Sequence, residues 1–141
     1  MASYVIDASI IIEYLISGNY TAQTRRLFEQ KALDDQFIVP EFALLECTNV
    51  LWRQVRFQGM PVETAEALLK HLRKLPLRRV PAKSVLPTAL RIGLNHQLAI
   101  YDSVYIALAL RSSLPLITLD QPQTRAALAE RVSLKSIMDL N

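Results

Sequence analysis

Cysteine, glycine and long apolar runs are all scarce in this chain, whose 141 residues include one cysteine and three glycines. A lone Cys47 closes no internal disulfide, which excludes the disulfide-stapled secreted domains and points to a reducing compartment. With so little glycine, and with no low-complexity tract or internal repeat, nothing marks a linker or a domain boundary. One domain over residues 1–141 is expected. No basic stretch precedes the first apolar run, and Asp7 and Glu13 interrupt it, so it does not read as a secretion signal. Every other apolar run meets a charge or a proline before it could span a bilayer. A soluble, cytoplasmic protein without membrane contact is the expectation. The two histidines, His71 and His96, fall in polar stretches and read as surface residues. Cys47 reads as a small core residue.

What is present is the composition of a packed globular protein, 51% hydrophobic and 21% charged. A chain this long buries roughly two-thirds of its unfolded surface. The net charge of +3 is mild but unevenly spread. Between Arg53 and Arg91 nine basic residues, among them Arg53, Arg56, Arg78 and Arg79, meet only two acids, Glu63 and Glu66. A basic middle suits either a polyanionic partner or an ordinary solvated helical surface.

Short β-branched runs alternate with helical patterns. Ser3–Ile6, Phe37–Val39, Leu77–Val80 and Leu116–Leu119 read as strands, and Ser133–Ile137 as a last one. Between them, Ser9 is placed to cap a helix to about Leu15, and Thr21 one reaching Leu33. Further helices are expected over Glu41–Phe57, Val62–Lys74, Val85–Leu94, Tyr101–Leu110 and from about Pro122 to Arg131. Strands separated by helices imply an α/β fold with a parallel sheet covered on both faces. Tyr14, Leu15, Phe28 and Leu33 suit either a core or an interface.

Four carboxylates stand out against this pattern. Asp7 and Asp120 each follow a strand, and ligands of open α/β sheets bind beyond the carboxyl ends of the strands. Glu46 and Asp102 sit inside apolar helical sequence, where an unpaired acid costs several kcal/mol and needs a cation, a hydrogen-bond network or a shifted pKa. Arg53 is a helical-face partner for Glu46, whereas no basic residue lies within a turn of Asp102. Oxygen donors without histidine suit hard cations, Mg²⁺ or Mn²⁺, and argue against zinc. Such a cluster repels itself until cations bind, and then supports phosphodiester hydrolysis with either two ions or one ion and a carboxylate base.

The segments Val5-Ile6-Asp7-Ala8-Ser9, Glu46 with Asn49-Val50-Leu51-Trp52-Arg53, Tyr101-Asp102-Ser103 with Tyr105-Ile106-Ala107-Leu108-Ala109, and Thr118-x-Asp120 together resemble the PIN-domain nucleases. They most resemble the VapC-type toxins of bacterial and archaeal toxin–antitoxin pairs. The resemblance spans nearly the whole chain. It implies a three-layer PIN-like fold with a central parallel sheet of order 3-2-1-4-5 flanked by helices. It also implies Mg²⁺ or Mn²⁺ bound by Asp7 and Asp102 with help from Glu46 and Asp120. Ser9, Asn49 and Thr118 match positions that orient carboxylates or waters; equally, each suits a cap, a core hydrogen bond or a strand. RNA cleavage, a homodimer and a small antitoxin partner are implied as well. Arg53, Arg56, Arg78 and Arg79 would then hold the RNA backbone without reading sequence. One departure bears on Asp120: Gln121-Pro122-Gln123 follows it where many relatives have a small or charged residue and then a leucine.

Two other readings compete. A catalytically silent PIN-like module binding RNA or protein gives no reason for four acids. A receiver-like phosphoacceptor needs its aspartate after a middle strand and a lysine after the last, and neither is present.

Overall fold

A computed structural model describes residues 2–139. Four parallel strands form its sheet: β1 (Ser3–Ile6), β2 (Gln36–Pro40), β3 (Leu77–Val80) and β4 (Leu116–Ile117), in the order β3-β2-β1-β4. The 3-2-1-4 part of the implied order is therefore observed. At the fifth position the expected strand over Ser133–Ile137 shrinks to one parallel bridge, Leu134 to Leu116. Two hydrogen bonds make it, Leu116 N–H to Ser133 C=O and Lys135 N–H to Leu116 C=O, both within 3.0 Å. β4 is itself shorter than expected, because Thr118 and Leu119 leave the ladder and turn toward side-chain partners.

Among the described residues seven α-helices flank the sheet: α1 (Ala8–Leu15), α2 (Thr21–Glu29), α3 (Ala43–Gln58), α4 (Val62–Lys74), α5 (Leu86–His96), α6 (Ile100–Ser112) and α7 (Gln121–Ala129). The reason α6 is central can be read from its composition. Every residue from Ser103 to Ala109 is buried, so it is apolar all round rather than amphipathic. It packs on β1, β2 and β4, with α5 against it. α1 packs instead with α2, α3 and α4. Val5, Ile6, Leu116 and Ile117 are fully buried at the sheet centre, each contributing roughly 1.5–3 kcal/mol by leaving water.

Two of the expected caps act differently. Asp7, not Ser9, occupies the N-cap of α1, and its side chain makes no cap hydrogen bond. Tyr20 is the N-cap of α2, which ends at Glu29 rather than Leu33. The chain stops being helical there because Asp35 instead collects the N–H groups of Ala32 and Ala2. Leu15 joins the core, and Tyr14 and Phe28 pack ring to ring at 4.7 Å, while Leu33 is fully exposed. α3 ends at Gly59, whose φ of 74° is the left-handed conformation that glycine adopts without strain.

The seating of α6 depends on Gly93 of α5. A Cβ there would stand 2.8 Å from the Leu98 carbonyl oxygen and 2.9 Å from Ile100 Cδ1. Both lie at the entry to α6, so a side chain would push the first turn of that helix, which holds Asp102. Gly93→Ala is expected to destabilise the protein by about 1–3 kcal/mol in urea unfolding. A neutral or stabilising result would show that α5 and α6 are not in obligatory close contact.

Candidate active site

Ile6 of β1 is level with Ile117 of β4, so the next residues, Asp7 and Thr118, leave the sheet side by side. This is where the chain order reverses, since β2 lies on one side of β1 and β4 on the other. Asp120 follows two residues after Thr118. α6 begins above the same edge with Asp102 in its first turn, and α3 brings Glu46 in its own first turn. All four acids are thus linked through space, as a row. Asp7 feels Asp120, Asp102 feels Asp120, and Glu46 feels Asp102.

Asp7 is 5% exposed. Burial pushes its carboxyl up to about 7, against the pull of hydrogen bonds from the Ser9 and Thr118 hydroxyls and of the Ile10 N–H, with a further small push from Asp120. Ser9 Oγ donates to Asp7 Oδ1 at 2.5 Å and accepts the Leu119 N–H at 3.0 Å. One hydroxyl therefore ties β1 to the segment after β4. Thr118 Oγ1 accepts the Asp120 N–H at 3.0 Å. Both residues act as supports for the acids, and Ser9 is no cap.

Glu46 is half-buried and its carboxyl is also raised, first by burial and then by Asp102, against a hydrogen bond from Tyr105. Tyr105 Oη donates to Glu46 Oε1 at 2.7 Å. Among the described residues that hydroxyl, and not Arg53, is the partner of Glu46. Tyr105 is 1% exposed, and a buried phenol seeks such a partner. No local sequence signal pointed to this pair: Tyr105 lies one turn after Asp102 and meets Glu46 only across helices. Cys47 is buried in the core, and desolvation with the nearby acids pushes its thiol up to about 12, so it stays unreactive.

Asp102 is half-buried, and its carboxylate has no hydrogen-bond or ion-pair partner among the described residues. Burial and Asp120 raise its pKa. Asp120 caps α7, accepting the Gln123 N–H at Oδ2 at 2.9 Å. The Gln121-Pro122-Gln123 sequence is thus compatible with Asp120 capping α7, through the backbone N–H of residue 123. Gln123 was not recognised from sequence, because a glutamine in a first helical turn reads as surface; its side chain is fully buried here.

Asn49 is exposed and lines, with Ala8, Phe42, Glu46 and Tyr101, a cleft of about 420 Å³ at the end of the row. Arg53 lies about one turn beyond Asn49 and two beyond Glu46 on the same face of α3, and Arg56 lies against the Phe57 ring at 5.2 Å. Arg78 and Arg79 are not brought to the row. They stand on β3, the edge strand, where Arg78 donates to Gln36. His96 and Arg91 pair with Glu130 at the C-terminal end of α7, the end opposite Asp120.

As donors for a metal the acids fit in kind. They are all oxygen, and the charges acting on them are other carboxylates. Among the described residues, however, no three acidic, histidine or cysteine side chains come together as a group able to hold one ion. An ion taking two carboxylates and completing its shell with water, as Mg²⁺ commonly does, is compatible with a row of this kind.

A family model of the PIN domain matches residues 4–128. The chain belongs to the PIN-domain family. Over 119 residues, 83% of this chain and 88% of the relative, it is 28% identical to Ribonuclease VapC3 of Pyrobaculum aerophilum. The crystal structure of PAE2754 from the same organism superposes with a TM-score of 0.71 at 23% identity, covering 99% of this chain and 93% of that one. VapBC2 of Rickettsia felis, solved with a DNA fragment from its promoter, gives 0.69 at 13% identity, covering 95% and 98%. These likenesses agree on the fold. Among the described residues of this PIN domain, no helix is long and apolar enough to cross a membrane.

Because the folded-state pKa of Asp7 lies above its ordinary 3.8, folding favours the protonated form. Stability is greatest below pH 3.8 as far as this group is concerned, and falls until the pH passes about 7. The full shift corresponds to on the order of 4 kcal/mol. In chelator, Asp7→Asn is expected to unfold at higher urea than the parent at pH 8, the gap closing toward pH 4. Parallel curves at all pH values would show that Asp7 is not an ionised, desolvated group.

Proposed function

We propose that this PIN domain is a Mg²⁺- or Mn²⁺-dependent ribonuclease that hydrolyses RNA phosphodiester bonds as the toxin of a toxin–antitoxin pair. The observation that carries the reading is Asp102. A half-buried carboxylate without a protein partner, facing a second carboxylate, is costly unless a cation completes it. The name of the relative Ribonuclease VapC3 supports the nuclease reading, and the VapBC2 complex supports a protein antitoxin.

Asp7 and Asp102 are the residues to hold the ion, with Asp120 beside both and Glu46 at the open end of the row. When bound, a divalent ion lowers the charge on the scissile phosphate and makes water a better nucleophile. The chain supplies the rest. Ser9 and Thr118 fix the rotamer of Asp7, so its carboxylate is presented in one orientation. Tyr105 occupies Glu46 Oε1 and leaves Oε2 to accept the proton of an attacking water. The raised pKa of Glu46 strengthens it as that base. Asn49 beside Glu46 orients the water or a phosphate oxygen, and Arg53 and Arg56 farther along α3 hold the backbone. Arg78 and Arg79, on the edge strand, contact RNA only where it runs beyond the cleft. A cytoplasmic homodimer fits the exposed stripe Leu86, Leu90 and Leu94, spaced one turn apart on α5.

A silent binding module leaves the stored repulsion of the row unexplained. The two are separated by incubating purified protein with labelled single-stranded RNA. Cleavage is expected with Mg²⁺ or Mn²⁺ and not with EDTA, and Asp102→Asn should lower the rate by about 10²-fold or more. Equal cleavage by Asp102→Asn and the parent would end the proposal.

A further inference from the structure

Gln123 touches both acids nearest to it. Its backbone N–H donates to Asp120 Oδ2 at 2.9 Å, and its side-chain Nε2 donates to the main-chain carbonyl of Asp102 at 3.0 Å. The third polar atom, Oε1, is buried and has no hydrogen-bond partner among the described residues. Exchanging the two amide atoms would set oxygen against the Asp102 carbonyl, so the donor assignment follows from the partner.

For stability alone this is a poor residue. An orphaned buried acceptor costs free energy that an apolar side chain of the same length would not incur. The amide does connect two elements that electrostatics pushes apart. Asp102 on α6 and Asp120 at the start of α7 repel each other, and among the described residues no basic side chain bridges them. We infer that Gln123 is a positioning residue, which ties the first turn of α6 to the N-terminus of α7 and keeps Asp102 and Asp120 facing each other at the expense of stability. Its importance for the metal rests on the ribonuclease reading above; the tie itself does not.

Gln123→Met keeps the length and removes both polar atoms. In EDTA at pH 8 the variant is expected to keep the parent's circular dichroism and to resist urea at least as well. Asp102→Asn relieves the repulsion, so it stabilises the parent. In the Gln123→Met background, where the acids have room to part, that gain should shrink by about threefold or more in the unfolding equilibrium constant. Additive effects would overturn the inference. Calorimetric titration with Mn²⁺ should show affinity about tenfold weaker in Gln123→Met. With a fluorogenic single-stranded RNA, kcat should fall while KM holds, because Gln123 is too buried to touch substrate. Parent-like Mn²⁺ affinity would likewise overturn it. If the parent itself neither binds Mn²⁺ nor cuts RNA, the ribonuclease reading fails, and the metal-free cycle still decides whether Gln123 is the tie. Should Gln123→Met not fold, Gln123→Leu, which likewise removes both polar atoms without adding charge, enters the same cycle. A shrunken gain supports the inference there, and additivity overturns it.

Discussion

A carboxylate buried without a countercharge governs the arrangement around it. Asp7 leaves β1 at the one place in the sheet where chain order reverses, and the apolar core closes over it. Its neighbours do not neutralise it. They are hydroxyls, which orient a carboxylate without cancelling its charge, and another acid. A group in that position stays charged at neutral pH only with difficulty, and burial raises Glu46 and Asp102 in the same direction. Asp7, Glu46 and Asp102 are thus displaced together and in one direction, as at functional sites.

The supports of the row come from distant parts of the chain and make it cooperative. Ser9 links Asp7 to the Leu119 amide, 110 residues away. Tyr105 reaches across from α6 to Glu46 on α3. Gln123 joins α7 to α6. Gly93 allows α5 to approach the entry of α6, without which Asp102 would sit elsewhere. Packing of the apolar helix α6 on three strands gives these contacts a rigid base, since close-packed cores resist small displacements. Repulsion among the acids is then held rather than relaxed. Protein chains commonly tolerate such local cost at functional sites, because the rest of the structure over-determines it.

The departure after Asp120 illustrates how a local change is absorbed. Gln121-Pro122-Gln123 places a proline in the first turn of α7, where its missing N–H is not needed. Asp120 takes the N-cap role through Oδ2, which pins its carboxylate at the start of α7. A leucine at position 123 would keep the backbone N–H to Asp120 but lose the amide bond to the Asp102 carbonyl. The glutamine instead ties both, leaving an acceptor unsatisfied.

Read from sequence alone, the parallel α/β class was legible because strand-length β-branched runs alternate with helix-period segments, a purely local signal. The four acids were legible for the same kind of reason, as charges in apolar surroundings or at strand ends. The family resemblance supplied the strand order that made them neighbours. Tertiary structure alone decided which side chains answer them. Ser9 looked like a cap because it opens a helix, and became a cross-sheet tie once β4 was placed beside β1. Arg53 looked like the partner of Glu46 on helical spacing, yet the closer group is a tyrosine on another helix. Arg78 and Arg79 belonged to a basic stretch in the chain but stand on the far edge of the sheet, since adjacency in sequence does not survive folding across strands. The last strand reduced to a bridge because its ladder partner, β4, is only two residues long. Periodicity and composition act within a turn or a strand. Hydrogen bonds between elements depend on which surfaces meet, and that is settled only when the core is packed.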